Sequence, residues 1–272
     1  MTAIALALQA VRERIAACAK AAGRIPGEIQ LVAVSKTCPP GVIVQAYQAG
    51  QHAFGENHAQ EGVEKILALE KILTEWSAGS ALPEKTDARV HAPVHSPGAT
   101  SLSTTRPLLR SPEWHFIGPI QSNKTRLIAE HFAWIHSVDR EKIAERLSTA
   151  RPAHLPPLQV CIQVNISGEA SKSGVPPGDA ARLAGLIQDL PGLRLRGLMA
   201  LPQPTVDLEL QRMQFRKLRE LKEAIATQGI ALDTLSMGMS HDLEAAISEG
   251  ATLVRVGTAI FGERKSLKYR AQ

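Results

Sequence analysis

Short apolar runs alternate with longer amphipathic segments along most of this chain. The runs are rich in Val, Leu and Ile and predict strands buried on both faces, as in a parallel sheet. The amphipathic segments repeat apolar residues every three or four positions, which predicts helices. Ile4, Leu8, Val11 and Ile15 mark the first helix, over residues 2–22. Each later strand is followed by a helix or a helical turn, and this alternation predicts parallel strands.

The number of these units predicts the fold class. Eight βα units in one chain indicate a closed (β/α)8 TIM-like barrel of the α/β class, with an open doubly wound sheet as the alternative. No GxGxxG motif follows the first strand, which disfavours a dinucleotide-binding sheet. The predicted strands cover residues 29–36, 53–54, 114–117, 132–138, 158–164, 193–198, 232–236 and 252–256.

Residues 76–112 interrupt the pattern. Prolines, serines and threonines are frequent there, and neither the helical nor the strand period persists. We therefore expect a flexible surface insertion within a single domain that spans residues 1–272. His91 and His95 have the spacing of a helical metal pair, but Pro93 between them argues against a helix. We interpret both histidines as solvated and predict no metal site.

The charge and the cysteine content of the chain indicate which ligands and which compartment are compatible with it. The net charge is +5 and aromatic residues make up 4% of the chain. Basic residues are interspersed with acidic ones, which favours attraction of a phosphorylated ligand over nucleic-acid binding. The three cysteines show no CxxC spacing, which favours a reducing compartment. The amino-terminal segment lacks the pattern of a signal peptide and no apolar run is long enough for a membrane span, so we expect a cytoplasmic protein.

A lysine follows the first predicted strand. The run IQLVAVSKT covers Ile29–Thr37 and places Lys36 at the strand's carboxyl end, where α/β folds bind ligands. An amine above an apolar base loses its proton more easily than a solvated amine, and Schiff-base chemistry requires the neutral amine. Judged from this run alone, Lys36 is better interpreted as a solvated lysine at the end of a strand than as a Schiff-base lysine.

Two glycine-containing loops follow the seventh and eighth strands. LSMGMS ends at Ser240, and RVGT covers Arg255–Thr258. Both loops open helices, where free backbone N–H groups and the helix dipole bind phosphate. Either loop alone is explained by a cap or a turn. Together, after the two strands where barrels often bind phosphate, they predict a phosphate site.

The lysine and the phosphate loops predict one ligand between them. Strand one neighbours strand eight in a closed barrel, so a compound with an aldehyde and a phosphate would reach both Lys36 and the loops. Pyridoxal 5′-phosphate (PLP) has both groups. Arg255 would then lie beneath its ring nitrogen, with a structural ion pair as the alternative role.

Seven sequence blocks resemble the pyridoxal phosphate homeostasis protein family, single-domain relatives of the alanine racemase N-terminal barrel. They are LVAVSKT, FGEN, WHFIGPIQSNK, VNISGEASKSG, GLMAL, LSMGMSHDLEAAI and VRVGTAIFG. The resemblance implies that Lys36 carries PLP as a lysine aldimine and that Arg255 lies by the pyridine nitrogen. It implies a phosphate cradle of Ser240, Gly257 and Thr258. Asn57, in FGEN, matches a position near the cofactor.

The resemblance also implies a role in intracellular vitamin B6 homeostasis, in which PLP is held without efficient turnover and no residue is catalytic. The first alternative is a PLP-dependent, racemase-like enzyme, which needs proton-transfer groups on both faces of the ring. The two tyrosines, Tyr47 and Tyr269, are not clearly placed for that task. The second alternative is a barrel that binds another phosphorylated metabolite without a covalent bond. As partners we expect PLP and PLP-dependent apo-enzymes, with no nucleic acid or membrane, and a monomer.

Overall fold

The computed structural model describes residues 1–77, 111–169 and 172–262. Within these ranges eight parallel strands close into a barrel in sequential order, which confirms the predicted (β/α)8 fold. The strands are β1 (Gln30–Val34), β2 (Ala53–Glu56), β3 (Glu113–Phe116), β4 (Trp134–Val138), β5 (Leu158–Gln163), β6 (Leu193–Met199), β7 (Thr234–Ser236) and β8 (Leu253–Val256).

Helices separate the strands and form the outer layer. The packed surface between them and the strands carries most of the apolar core. The described helices are α1 (Ala3–Ala21), α2 (Pro40–Gln48), α3 (Ala59–Ser77), α4 (Thr125–His131), α5 (Glu141–Ala150), α6 (Ala180–Gln188), α7 (Leu208–Ala226), α8 (Leu243–Ser248) and α9 (Thr258–Phe261).

A smaller apolar cluster fills the inside of the barrel. Its side chains belong to six different strands and are nearly inaccessible to water, so each large one contributes about 1.5–3 kcal/mol to folding. Burial also raises the pKa of the Cys161 thiol to about 12, which leaves this thiol unreactive. The cluster consists of Val32, Ala53, Trp134, Cys161, Met199 and Leu253.

Helix α1 covers the seam where the barrel closes. Its start is capped by Thr2, whose Oγ1 accepts a hydrogen bond from the Ala5 N–H at 3.2 Å. Its buried face carries Leu8, Val11 and Ile15, the residues whose spacing predicted the helix. Because α1 packs against α8 and α9, it supports the loops that follow β7 and β8.

The structure differs from the predicted boundaries in two informative places. β1 ends at Val34, so Lys36 lies in a turn beyond the strand. α3 continues through Trp76 and Ser77, two residues into the predicted insertion, because Trp76 still packs against the core. The rest of that insertion up to residue 110, with both of its histidines, lies outside the described residues. In the described ranges, no helix is long and apolar enough to cross a membrane.

Candidate functional site

Lys36 lies in a tight turn at the carboxyl end of β1. The Cys38 N–H donates to the Ser35 carbonyl oxygen at 2.9 Å, and Thr37 has a φ of 64°. Val32 and Val34 both face the barrel interior, where they would contact a side chain added at position 55. Lys36 follows this inward-facing row by two residues, in the turn beyond the end of β1. The lysine is half-buried at the mouth of the barrel.

Arg255, on β8, is the buried cation of the barrel interior, with 3% of its surface exposed. It pairs in register with Val32 of β1, on the strand that leads to Lys36. Its Nη1 donates to Ser236 Oγ at 2.5 Å and its Nη2 donates to the Ala200 carbonyl at 3.0 Å. Among the described residues its hydrogen-bond partners are a hydroxyl and a carbonyl oxygen, and the charge of Asp242 acts on it without a hydrogen bond.

Burial lowers the pKa of the Arg255 guanidinium to about 10. The pKa still lies well above neutral pH, so the group keeps its charge there. A buried charge with neutral partners favours an electron-rich ligand atom nearby. Arg255 is therefore suited to donate a hydrogen bond to an unprotonated ring nitrogen.

A hydrogen-bond chain connects Arg255 to the opposite end of the barrel. Ser236 Oγ lies 2.7 Å from His136 Nδ1, and His136 Nε2 lies 2.9 Å from His115 Nδ1. His115 Nε2 in turn lies 3.0 Å from Glu113 Oε1. We call these five residues, Arg255 included, the interior relay. His115 is fully buried, and both of its ring nitrogens are hydrogen-bonded.

The partners assign the direction of every proton in the interior relay. A guanidinium only donates, so the Ser236 hydroxyl accepts from it and donates to His136 Nδ1. His136 then donates from Nε2 to His115, which donates from Nε2 to the Glu113 carboxylate. Both histidines are neutral in this scheme. Burial lowers the pKa of each, and that of His136 falls well below its usual value because Arg255, and His115 if it were protonated, would also repel a proton there. The hydrogen bond from His115 lowers the pKa of Glu113 to about 2.

The buried histidines predict destabilisation in mild acid. Because the pKa of each is lowered in the folded state, the unfolded chain binds more protons below about pH 6.5. We expect the free energy of unfolding to fall from pH 7.5 to pH 5.5, by at most about 1.4 kcal/mol per pH unit for each histidine. Urea unfolding at the two pH values measures this loss. His136→Gln should reduce it, whereas the exposed His154→Gln should not.

Equal losses in wild type and His136→Gln would contradict this assignment. Glu113 acts in a separate and lower window. Its folded-state pKa is depressed to about 2, so its contribution is complete above the unfolded value of about 4.5 and is lost toward pH 2. The contributions of the buried histidines and of Glu113 to the free energy of unfolding are therefore lost in different pH ranges.

Asn57 follows β2 and presents a polar atom that needs a partner. Its Oδ1 is buried and has no hydrogen-bond partner in the described part of the chain. A Cβ added at Gly118 would lie 2.0 Å from the Asn57 carbonyl oxygen, so only glycine permits this close packing. Buried polar atoms without partners are costly. An amide here fits a polar ligand and is consistent with the expected cofactor.

The two loops predicted to bind phosphate lie after β7 and β8. Gly257 precedes the first turn of α9, which begins at the exposed Thr258, and the N–H groups of a first turn lack partners within the helix. The carbonyl of Ser240 accepts from Arg14 Nη1 at 2.9 Å, so α1 holds the β7–α8 loop. One backbone N–H of that loop is not available to a phosphate, because the Met239 N–H donates to an Asp242 carboxylate oxygen at 2.5 Å.

Five of the six predicted site residues lie on one arc of the barrel rim, and Arg255 lies on β8 in the barrel interior. They follow, or end, the four consecutive strands β7, β8, β1 and β2. A cavity of about 340 Å³ lies at the opposite face, beside Gln30 and Glu113. That face of a (β/α)8 barrel serves stability, so the rim carries the candidate site. The six residues are Lys36, Asn57, Ser240, Arg255, Gly257 and Thr258.

Sequence reasoning missed the polar residues that support this rim. His136 lies two residues after the inward-facing Trp134 on β4, and a polar residue at that spacing was an available signal. Glu56 ends β2 and Lys65 lies on α3, and both are buried. The four-residue spacing of Glu61 and Lys65 indicates a helical ion pair, but it did not indicate burial.

Comparison with known proteins agrees with the barrel fold. The model of the family "Alanine racemase, N-terminal domain" matches residues 6–265. A pyridoxal phosphate homeostasis protein of Pseudomonas aeruginosa is 50% identical over 264 residues, 97% of this chain and 97% of that protein. One of Escherichia coli is 46% identical over 264 residues, 97% of this chain and 98% of that protein.

A solved structure extends the likeness to a protein with bound cofactor. PipY of Synechococcus elongatus with PLP bound has a TM-score of 0.72 and 31% sequence identity, and the match covers 95% of this chain and 100% of that chain. Identity at this level over nearly the whole chain accompanies the same closed barrel. The chain therefore belongs to the pyridoxal phosphate homeostasis protein family, whose barrel is that of the alanine racemase N-terminal domain.

Proposed function

We propose that this protein binds PLP at the arc formed by β7, β8, β1 and β2, and that it holds the cofactor in vitamin B6 homeostasis without turning over amino acids. The observation that carries the proposal is the convergence of a half-buried lysine, a buried arginine and two loops with backbone N–H groups at one end of the barrel. The names of the relatives from Pseudomonas aeruginosa and Escherichia coli support it, as does PLP in the PipY structure.

Each side chain has a distinct part in this proposal. Lys36 attaches the cofactor covalently, and Arg255 donates to its ring nitrogen. Ser240, Gly257 and Thr258 hold the phosphate through hydroxyl and backbone N–H groups. Asn57 supplies the buried amide with the unsatisfied oxygen. When bound, PLP supplies a reactive aldehyde and an electron-accepting ring.

A protein that holds PLP without using it would supply it to other proteins. We propose PLP-dependent apo-enzymes as the recipients, a monomer as the working form, and a reducing, cytoplasmic setting. The last point is supported by the cysteines, because Cys18, Cys38 and Cys161 form no disulfide bond with one another.

Spectroscopy of reconstituted protein tests the proposal directly. Cofactor-free protein mixed with PLP is expected to gain a visible absorbance band at one equivalent, and borohydride should convert it into a permanent mass increase on the peptide that contains Lys36. The matched ligand is 4′-deoxypyridoxine 5′-phosphate, which has the ring and phosphate but no aldehyde and should bind without a mass increase. Binding of both compounds with no covalent mass would favour a barrel for another phosphorylated metabolite.

A further inference from the structure

A buried group of charges lies outside the barrel, directly behind Lys36. Lys65 Nζ donates to Glu56 Oε1 and Oε2, each at 3.0 Å, and to Glu61 Oε1 at 2.5 Å. The exposed fraction of the side chain is 5% for Lys65 and 0% for Glu56. We call Glu56, Glu61 and Lys65 the Lys65 cluster. It is separate from the interior relay, which lies on the other side of the strands.

Local structure explains how the three charges meet. Ala53 faces the barrel interior, so alternation along β2 turns Glu56 outward toward α3. α3 approaches closely because Gly62 has no side chain, and an added Cβ would lie 2.7 Å from Phe132 Cζ and 3.2 Å from Glu56 Cβ. One helical turn separates Glu61 from Lys65, which brings both to the same face.

The Lys65 cluster bonds to both neighbours of Lys36. Lys65 Nζ donates to the Ser35 carbonyl at 2.7 Å, and Ser35 Oγ donates to Glu56 Oε1 at 2.6 Å. On the other side, the Thr37 N–H donates to Glu61 Oε1 at 2.5 Å. The backbone that carries Lys36 is therefore held immediately before and after the lysine.

This turn needs such support because its backbone is strained. In the described ranges, Thr37 is the one residue other than glycine with a positive φ, at 64°. It occupies the third position of the turn from Ser35 to Cys38, where a positive φ favours Gly or Asn, and a β-branched side chain is disfavoured there. Strained backbone persists only where its surroundings determine it.

The pKa shifts within the Lys65 cluster indicate that stabilisation of the fold alone does not explain these buried charges. Burial raises the pKa of Glu56, and Lys65 only partly counteracts this rise. Burial also raises the pKa of Glu61, but the hydrogen bonds from Lys65 and Thr37 outweigh it and lower that pKa overall. Buried ion pairs are often no more stabilising than apolar residues of similar size, whereas they define geometry.

We propose that the Lys65 cluster positions Lys36 for covalent attachment of PLP, an inference that rests on the proposed function. Attachment is a condensation. The neutral Lys36 nitrogen bonds to the aldehyde carbon, a carbon–nitrogen double bond replaces the carbon–oxygen bond, and one water molecule leaves with no change of oxidation state. Lys65, Glu56 and Glu61 act through the backbone of residues 35–37 and the Ser35 hydroxyl, so they are positioning residues.

Glu61 variants test this role, because Glu61 is the least buried member of the cluster, with 30% of its side chain exposed. Glu61→Ala removes the acceptor for the Thr37 N–H, and Glu61→Gln retains an acceptor oxygen. The control is Glu130→Ala, which breaks an exposed ion pair of the same spacing with Arg126 on α4. The two readouts are the rate of borohydride-trapped PLP attachment and the affinity for 4′-deoxypyridoxine 5′-phosphate.

We expect Glu61→Ala to slow attachment by about tenfold to a hundredfold while affinity for the deoxy compound stays within about twofold. Glu61→Gln should recover most of the rate, and Glu130→Ala should match wild type. The inference would be overturned if Glu61→Ala attached PLP at the wild-type rate. It would also be overturned if the variant lost attachment rate and affinity for the deoxy compound equally, because that result indicates a merely structural role. If wild type itself attaches no PLP, the proposed function fails and the inference fails with it.

Discussion

Lys36→Ala is expected to lose all covalently attached PLP and to remain folded. Lys36 lies beyond the end of β1 and is only half-buried, so its truncation removes little core packing and should change the free energy of unfolding by less than about 1 kcal/mol. Covalent attachment has no substitute for the missing amine. Mass spectrometry after borohydride reduction measures attachment, and urea unfolding measures stability.

The matched control is Lys20→Ala, at the exposed last turn of α1, which should attach PLP like wild type. Retained covalent mass in Lys36→Ala would show that another lysine is the true attachment site. Loss of folding in Lys36→Ala would instead show that the lysine supports the turn it occupies. The first outcome contradicts the part proposed for Lys36, and the second contradicts the expected small effect on stability.

The second prediction with a large expected effect is that the protein does not turn over amino acids. Loaded protein in deuterated water with L-alanine or L-serine is expected to show no exchange at the α-carbon beyond that of free PLP. Arg255 keeps its charge at neutral pH because its pKa is about 10, so it can donate to the ring nitrogen but cannot accept a proton from it. An unprotonated ring nitrogen stabilises an adjacent carbanion less well.

An arginine alone does not exclude racemisation, and the second argument is the placement of bases. Proton transfer is needed on both faces of the ring, and Lys36 serves one face. Tyr47 is buried on α2 and its ring meets the ring of His52, which precedes β2 at the amino-terminal end of the barrel. Tyr47 is thus directed away from the rim, and Tyr269 lies outside the described residues.

Nuclear magnetic resonance of the α-proton measures the exchange directly. The control is Lys36→Ala incubated with the same PLP concentration, which reports the background of free cofactor. Rapid exchange or inversion in wild type that disappears in Lys36→Ala would favour the racemase-like alternative and reject the holding function.

The order of strands and helices was determined by the sequence itself. Strand and helix periods are local properties, so the apolar run before Lys36 and the repeat of Leu8, Val11 and Ile15 predicted β1 and α1. The strict alternation of these elements then implied a closed parallel barrel. Because carboxyl ends of parallel strands meet at one rim, the positions of Lys36 and Arg255 in the chain also predicted that they belong to one site.

The tertiary structure alone decided which polar groups support that site. The exact end of β1, two residues before Lys36, depends on a turn held by Lys65, 30 residues from Ser35. The interior relay joins His136 to Ser236 across 100 residues. No period or motif encodes such pairs, because their burial, their pKa values and their hydrogen bonds arise only when the closed barrel brings distant strands within 3 Å of one another.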